Sequence, residues 1–213
     1  MEKMASREIA SAMTGEIVPD APDGVERRTS RRVIALIRPG KLVVDGREYL
    51  CVVKDLSPGG VKLRLFHTLP PHGRLHVEFD NGEMREVRVL WQQGDLAGFA
   101  FSQEADVGAL LAPPSGTPRR PPRIAVRFDA ALSAGSLRTS VVVRDLSQRG
   151  ACIECSGWLM IDELVRIESA CMPTLHAKIR WRRPPHYGVV FEQTFRLDEL
   201  ARYCSEMAEG AAD

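Results

Sequence analysis

Two groups of polar residues occur twice along the 213-residue chain, in the same order each time. The first group is a cluster of arginines, at 26–32 and again at 118–123. The second is the pattern Asp-x-Ser-x-x-Gly, which follows the last aligned arginine after 24 residues in one copy and 22 in the other. Their members are Arg27, Arg28, Arg31, Arg32, Asp55, Ser57 and Gly60 in the first copy, and Arg119, Arg120, Arg123, Asp145, Ser147 and Gly150 in the second.

These residue types suit an anionic ligand that carries a purine base. Guanidinium groups form paired hydrogen bonds with phosphate oxygens and with one edge of guanine, and they stack on purine rings. An aspartate accepts from ring and amino N–H groups, a serine donates to phosphate, and a glycine allows the backbone to approach closely. The arginines alone fit a solvated basic linker better than a ligand site. Together with the Asp-Ser-Gly patterns they favour a site for a guanine-like anion.

The elements that position these residues belong to a duplicated domain. Residues 52–101 align with 142–191 without a gap, at a constant offset of ninety residues. This period is too long for a solenoid repeat and fits a whole domain written twice. The recurring positions are Asp55, Ser57, Gly60, Trp91, Gly98 and Phe101, which return as Asp145, Ser147, Gly150, Trp181, Gly188 and Phe191.

Within each copy, apolar and polar residues alternate with a period of two, which is typical of β-strands. Val61, Leu63 and Leu65 are expected to face inward, and Trp91, with its counterpart Trp181, is interpreted as a core residue. Turn signals separate these segments, so the pattern predicts a closed or nearly closed antiparallel barrel in each copy. Apolar residues at helical spacing predict a helix after each barrel, at 105–111 and at 196–207. Gly98 and Gly188 are assigned to turn or bulge geometry.

The ordered motifs resemble the PilZ domain family, over about residues 26–111 and 118–208. They are Arg-Arg-x-x-Arg before a strand, Asp-x-Ser-x-x-Gly some two dozen residues later, and a terminal Trp-x(6)-Gly-x-x-Phe. The resemblance implies two tandem six-stranded antiparallel β-barrels, each followed by a helix, and cyclic di-GMP as the ligand. It also implies that Arg27, Arg31, Arg119 and Arg123 clamp phosphates or guanines. The Asp-Ser-Gly residues of each copy would contact a base and the backbone.

The register of the arginine motif has an alternative. Arg-x-x-x-Arg also fits Arg28 with Arg32, and Arg123 with Arg127. The first register is preferred because the two copies agree in it, and it places Arg127 within the first strand of the second barrel.

The two copies also differ at the tip of the Asp-Ser-Gly loop. Pro58-Gly59 in the first copy is replaced by Gln148-Arg149 in the second. The added cation either contributes a phosphate contact or crowds the site. This loop is therefore the first place to look for unequal binding by the two copies.

Composition argues against several other classes of protein. The 29 basic and 28 acidic residues nearly cancel, whereas proteins that bind long nucleic acids usually carry a basic excess. Single-stranded RNA binding needs aromatic platforms, and only 6% of the residues are aromatic. The chain has no apolar run of eighteen residues, and we do not expect its first residues to act as a secretory signal. Its five cysteines fit a reduced, cytoplasmic setting. Cys152 and Cys155 would face opposite sides of a strand, so we expect no metal site.

The resemblance thus implies a bacterial second-messenger receptor that binds cyclic di-GMP, and the residue patterns predict no catalytic site, no cofactor and no metal. The predicted parts are a mobile tail (1–24), a first domain (25–111), a Pro-rich linker that carries the second arginine motif (112–122), a second domain (123–208) and a tail (209–213). A ligand that orders the linker would fix one barrel against the other. This change would regulate a protein partner in motility, biofilm formation or polysaccharide export. The alternative is a structural adaptor of the same fold that binds a protein partner without nucleotide.

Overall fold

Each half of the chain forms its own closed six-stranded barrel in the computed structural model, which describes residues 36–113 and 121–210. The first barrel consists of β1 (Arg38–Val44), β2 (Arg47–Ser57), β3 (Gly60–Leu65), β4 (Leu75–Glu78), β5 (Met84–Gln93) and β6 (Leu96–Phe101), followed by helix α1 (Val107–Leu111). The second consists of β7 (Ile124–Ala134), β8 (Leu137–Ser147), β9 (Gly150–Cys155), β10 (Leu164–Glu168), β11 (Leu175–Arg183) and β12 (His186–Phe191), followed by α2 (Leu197–Gly210).

The strand order is the same in the two barrels. The first runs β1-β2-β3-β6-β5-β4 and closes by pairing β1 with β4, and the second closes by pairing β7 with β10. All neighbouring strands are antiparallel. The predicted fold class is therefore confirmed, and so are the two helices, although α1 is short. No helix among the described residues is long and apolar enough to cross a membrane.

Several predicted features lie outside the described residues. These are the N-terminal tail (1–24), the arginines Arg27, Arg28, Arg31 and Arg32, and, within the linker, Arg119 and Arg120. Arg123 and Arg127 are described, and Arg127 lies within β7 as expected.

The alternating residues of β3 and β9 fill the barrel interiors. Val61, Leu63 and Leu65 are buried, and the matching residues of β9, ending at Cys155, are buried as well. In α2, Leu200 and Cys204 face the second barrel. The two-residue period was therefore read correctly in β3 and β9. All five cysteines are free thiols.

Trp91 and Trp181 correct the sequence prediction, because they do not lie in the core. Their side chains are 43% and 39% exposed. Each follows a β-bulge, where β5 or β11 gains one residue relative to its partner strand, and this insertion reverses the alternation. The indole of Trp91 then lies over Gly98, where a Cβ atom would overlap it. Gly98 lies opposite the bulge as expected, and its missing side chain makes room for the ring.

The two barrels share an interface that the repeat does not predict. Leu50, on β2 of the first barrel, is 1% exposed and belongs to the hydrophobic core of the second. Helix α2 packs against both β2 and β7. Beside this contact, Glu48 Oε2 accepts a hydrogen bond from the backbone N–H of Ala125 at 2.7 Å. Strand β2 therefore belongs to the first barrel and also packs against the second.

Glu48 is held in place by a nearly buried lysine. Lys41 Nζ donates to Glu48 Oε1 at 2.7 Å and pairs with Glu78 at 2.8 Å. Burial alone would lower the pKa of Lys41, but the hydrogen bonds to the two carboxylates raise it above its ordinary value. The lysine therefore stays charged and fixes the carboxylate that bridges the barrels. Glu48 also acts on Cys204: burial, with a smaller contribution from Glu48, raises the pKa of that thiol to about 12.

We predict that Gly60→Ala destabilises the first barrel by about 1–3 kcal/mol, the usual cost of overpacking a tight site. A Cβ at Gly60 would overlap the carbonyl oxygen of Phe99 on the neighbouring strand. The adjacent Gly59 is the matched control, because nothing lies within 4 Å of its Cβ position. Urea unfolding of both variants tests this, and equal stability of the two would contradict it. Gly150→Ala, against Val189 O, is expected to act in the same way in the second barrel.

Candidate functional site

A surface pocket of about 410 Å³ lies between the β2–β3 turn and the bulge of β5. Its lining includes Asp55, Ser57 and Gly60, which the sequence analysis selected as ligand-binding residues. It also includes Lys62 and Trp91, which the sequence analysis did not assign to a ligand. The complete lining is Asp55, Leu56, Ser57, Gly59, Gly60, Val61, Lys62, Leu90, Trp91, Gly98 and Phe99. The pocket therefore offers a carboxylate, a cation and an exposed aromatic ring to one ligand.

Asp55 reaches the pocket because β2 contains a bulge. The pairing shifts between Val53 and Asp55, which places the aspartate opposite Lys62 of β3. The Lys62 Nζ and Asp55 Oδ2 atoms are 3.3 Å apart, and both side chains are about one-third exposed. A partly solvated ion pair of this kind is weak and exchanges readily with a ligand that offers its own charges.

In the second barrel, the equivalent aspartate meets an arginine of the predicted motif. The same bulge in β8 places Asp145 opposite Cys152. Asp145 Oδ1 accepts from the backbone N–H of Cys152 at 3.1 Å and from Nη1 of Arg123 in an ion pair. The structure thus brings one arginine of the cluster before β7 directly to the Asp-x-Ser-x-x-Gly pattern.

The serine hydroxyls are used inside the turn. Ser57 Oγ donates to the carbonyl oxygen of Gly60 at 3.2 Å, and Ser147 Oγ donates to that of Gly150 at 3.0 Å. Ser147 is also buried. In this state each serine stabilises the turn that carries the aspartate, whereas the expected role was donation to a phosphate.

The sequence difference at the loop tip leaves the backbone of the turn unchanged. Phe101 N donates to Gly59 O at 3.0 Å, and Phe191 N donates to Arg149 O at 2.9 Å. The Arg149 side chain is exposed. The substitution therefore adds a guanidinium group at the rim of the second site without reshaping the loop.

Lys62 and Trp91 carried different signals in the sequence. Trp91 and Gly98 recur at the same offset as the motif residues, and this pairing could have identified an indole resting on a glycine. Lys62 does not recur, since Cys152 stands in its place. Burial, and next the nearby Asp145 carboxylate, raise the pKa of the Cys152 thiol, which keeps it protonated. Among the described residues no group of His, Cys, Asp and Glu is arranged to hold a metal ion.

Comparison with known proteins gives one family and several solved structures. The PilZ domain model matches residues 26–112 and 117–206. The PlzA protein of Borreliella burgdorferi, solved in complex with c-di-GMP, is 12% identical with a TM-score of 0.35, covering 83% of this chain and 93% of that one. YcgR of Escherichia coli, also with c-di-GMP, is 12% identical with a TM-score of 0.31, covering 83% and 85%. The Bacillus subtilis inhibitor of motility, MotI, is 12% identical with a TM-score of 0.32, covering 84% and 100%. No curated protein sequence matches the chain.

Proposed function

Because this chain belongs to the PilZ domain family, we propose that it is a receptor for cyclic di-GMP, with a binding role and no catalysis. Each barrel would hold the dinucleotide between its arginine cluster and its Asp-x-Ser-x-x-Gly turn, in domains at 25–111 and 123–208. The observation that carries the proposal is the pocket that joins Asp55, Lys62 and Trp91. A carboxylate accepts from the N–H edge of guanine, a cation pairs with phosphate, and an indole stacks on a base.

Binding at the second site would involve an exchange of partners. Without ligand, Asp145 and Arg123 neutralise each other. When a guanine donates its N–H groups to Asp145, the guanidinium of Arg123 becomes available to a phosphate of the same ligand. The Arg149 side chain at the loop tip lies on the same rim and favours the anion further.

The position of Arg123 suggests how binding changes the arrangement of the barrels. Arg123 lies two residues before Ala125, whose N–H donates to Glu48 of the first barrel. A ligand that moves Arg123 therefore acts on a segment anchored to the other barrel. We propose that this segment, with the Pro-rich linker before it, passes the signal to a protein partner in motility, biofilm formation or polysaccharide export. A cytoplasmic location stays a prediction.

Isothermal titration calorimetry of the full chain with cyclic di-GMP tests the receptor, with GMP as the control ligand. Two equivalents bound would mean that both barrels bind, and one would mean that a single copy works. Absence of binding at concentrations up to about tens of micromolar would contradict the proposal, because a specific site is expected to have a dissociation constant no weaker than this. The adaptor alternative is separated by combining Arg31→Ala with Arg123→Ala. This variant should lose the nucleotide response, whereas an adaptor would keep its partner.

We predict that Trp91→Ala weakens binding at the first site by about 1–3 kcal/mol, the typical value of one base stacked on an aromatic ring. The physical reason is that Trp91 offers the exposed indole face of the pocket, which alanine removes. Calorimetry in an Asp145→Ala background isolates this site. Trp158→Ala is the matched control, because Trp158 is also exposed but lies outside the pocket. Equal loss in both variants would argue against stacking.

A further inference from the structure

One wall of the pocket in the first barrel is repeated in the second barrel with a change from an apolar residue to a cation. In the first barrel, Leu90 and Trp91 of β5 line the pocket. At the offset of ninety residues, their counterparts in β11 are Arg180 and Trp181. The second candidate site therefore has an arginine at a position where the first has a leucine.

The backbone places Arg180 in the same way as Leu90. Both strands bulge just before the tryptophan, and Leu90 and Arg180 are the extra residues of these two bulges. After the bulge, Trp181 lies opposite Gly188, as Trp91 lies opposite its own glycine. The equivalent bulge therefore puts the guanidinium of Arg180 on the wall that Leu90 forms in the first barrel.

Three arginines of β11 replace neutral residues of β5, but only Arg180 takes a position that lines the pocket. Arg182 and Arg183 correspond to glutamines of β5 that lie outside the pocket lining. The guanidinium carbon of Arg182 also lies 4.4 Å from the centre of the Trp158 ring, in a cation–π contact. Arg180 is exposed and forms no ion pair with another described residue. Its charge is therefore available to a ligand.

Arg180 also replaces a cation that the second barrel lacks. In the first barrel, Lys62 of β3 supplies positive charge to the pocket and lies opposite Gly98. In the second barrel, Cys152 takes the place of this lysine and lies opposite Gly188. Positive charge is therefore lost from β9 and gained at Arg180 on β11, on the other side of the same glycine.

We propose that Arg180 binds a phosphate of the nucleotide in the second site, a contact that the first site does not make. This inference rests on the proposed function. The first pocket reaches from Asp55 to Leu90, so one ligand in the equivalent place in the second barrel extends from Asp145 to Arg180. Each of the two phosphates of cyclic di-GMP carries a negative charge, and a guanidinium group forms paired hydrogen bonds with phosphate oxygens. Arg123, released from Asp145, and Arg180 thus supply cations at the two ends of the second site.

Calorimetry of the full chain with cyclic di-GMP tests this contact in an Asp55→Ala background, which isolates the second site. Arg180→Leu introduces the residue that the first barrel carries, so the fold should be kept, and far-UV circular dichroism checks it. We expect affinity to fall about tenfold, a moderate loss because the contact is exposed to solvent. The loss should shrink when salt is raised from about 50 mM to about 500 mM, because salt screens exposed charges. Arg180→Lys keeps the charge and should retain part of the affinity.

A reciprocal substitution and a matched control make the result specific. Leu90→Arg should strengthen binding at the first site by about the same factor, measured in an Asp145→Ala background. Arg183→Gln is the control, because it removes an arginine from the same strand and introduces the residue that the first barrel has outside its pocket. In the Asp55→Ala background, this control should bind as its parent does.

The outcomes separate this contact from the receptor itself. If the unmodified chain does not bind cyclic di-GMP, the proposed function is overturned and this contact with it. If the unmodified chain binds but the Asp55→Ala parent does not, the second site does not work and only the contact is overturned. The contact is equally overturned if Arg180→Leu binds as its parent does, if its loss is independent of salt, if Arg183→Gln loses as much affinity, or if Leu90→Arg gains none.

Discussion

Replacing Asp55 and Asp145 together by alanine is expected to eliminate measurable binding of cyclic di-GMP. In the proposed complex each carboxylate accepts from the N–H edge of a guanine. A hydrogen bond to a charged group contributes about 1.5–3 kcal/mol, which corresponds to about a ten- to hundredfold loss of affinity at each site. Each single replacement should remove one binding event and leave the other. Calorimetric stoichiometry of the two single variants and the double variant measures this directly.

The aspartate control is Asp95→Ala combined with Asp129→Ala. Asp95 forms an exposed ion pair with Arg64 at 2.6 Å, and Asp129 is exposed on β7. Neither lines the pocket of the first barrel. This pair removes the same number of carboxylates from the two barrels and should leave binding unchanged. If the double variant at Asp55 and Asp145 binds as the control does, the nucleotide does not occupy these turns. Thermal unfolding of all variants separates loss of the site from loss of the fold.

The fold was predictable because its information is local and repeated. Alternating strands such as β3 read the same way in both copies, and the offset of ninety residues confirmed each assignment against the other. The place of Trp91 was not predictable from periodicity, because a bulge inserts one residue without a characteristic sequence. After the bulge, the alternation that puts Val87 inside puts Trp91 outside. The repeated glycine at Gly98 was the available signal.

In the candidate site, too, the sequence predicted some features and did not reveal those that depend on three-dimensional geometry. The aspartate and the arginine cluster were selected from residue type and spacing, and the structure brings Asp145 and Arg123 together. The serines were selected as donors to phosphate, and in the structure Ser57 Oγ donates to the carbonyl oxygen of Gly60 within its own turn. This bond depends on turn geometry, which residue type alone does not reveal. Lys62 was not identified as a site residue from the sequence, because comparison of the two copies detects only residues that occur in both.

The interface between the barrels could have been predicted from positions at which the two copies differ. Leu50 corresponds to Ser140, which is exposed on β8, and Glu48 corresponds to Arg138, also exposed. An apolar residue in one copy at a position that the other exposes to solvent indicates a surface that only one copy covers. Differences between copies thus predict contacts outside the shared fold, as similarities predict the fold itself.

Leu50→Ala is therefore expected to destabilise the second barrel, although Leu50 belongs to a strand of the first. Truncation of a fully buried leucine costs about 2–5 kcal/mol. Because Leu50 lies in the core that includes Leu200 of α2, the loss falls on the contact between α2 and β2. Hydrogen exchange, resolved along the chain, should show faster exchange in α2 and β7.

Leu63→Ala is the comparison that makes this result specific. Leu63 is equally buried, but it lies in the core of the first barrel only. Its truncation should accelerate exchange in β1–β6 and leave α2 protected as long as the first barrel stays folded. If Leu50→Ala produced the same pattern as Leu63→Ala, the two barrels would be independent units. The coupling proposed through Glu48 and Ala125 would then lack a rigid contact to act on. Faster exchange of α2 in Leu50→Ala alone would instead mean that β2 connects the second barrel, with its candidate site, to the first barrel.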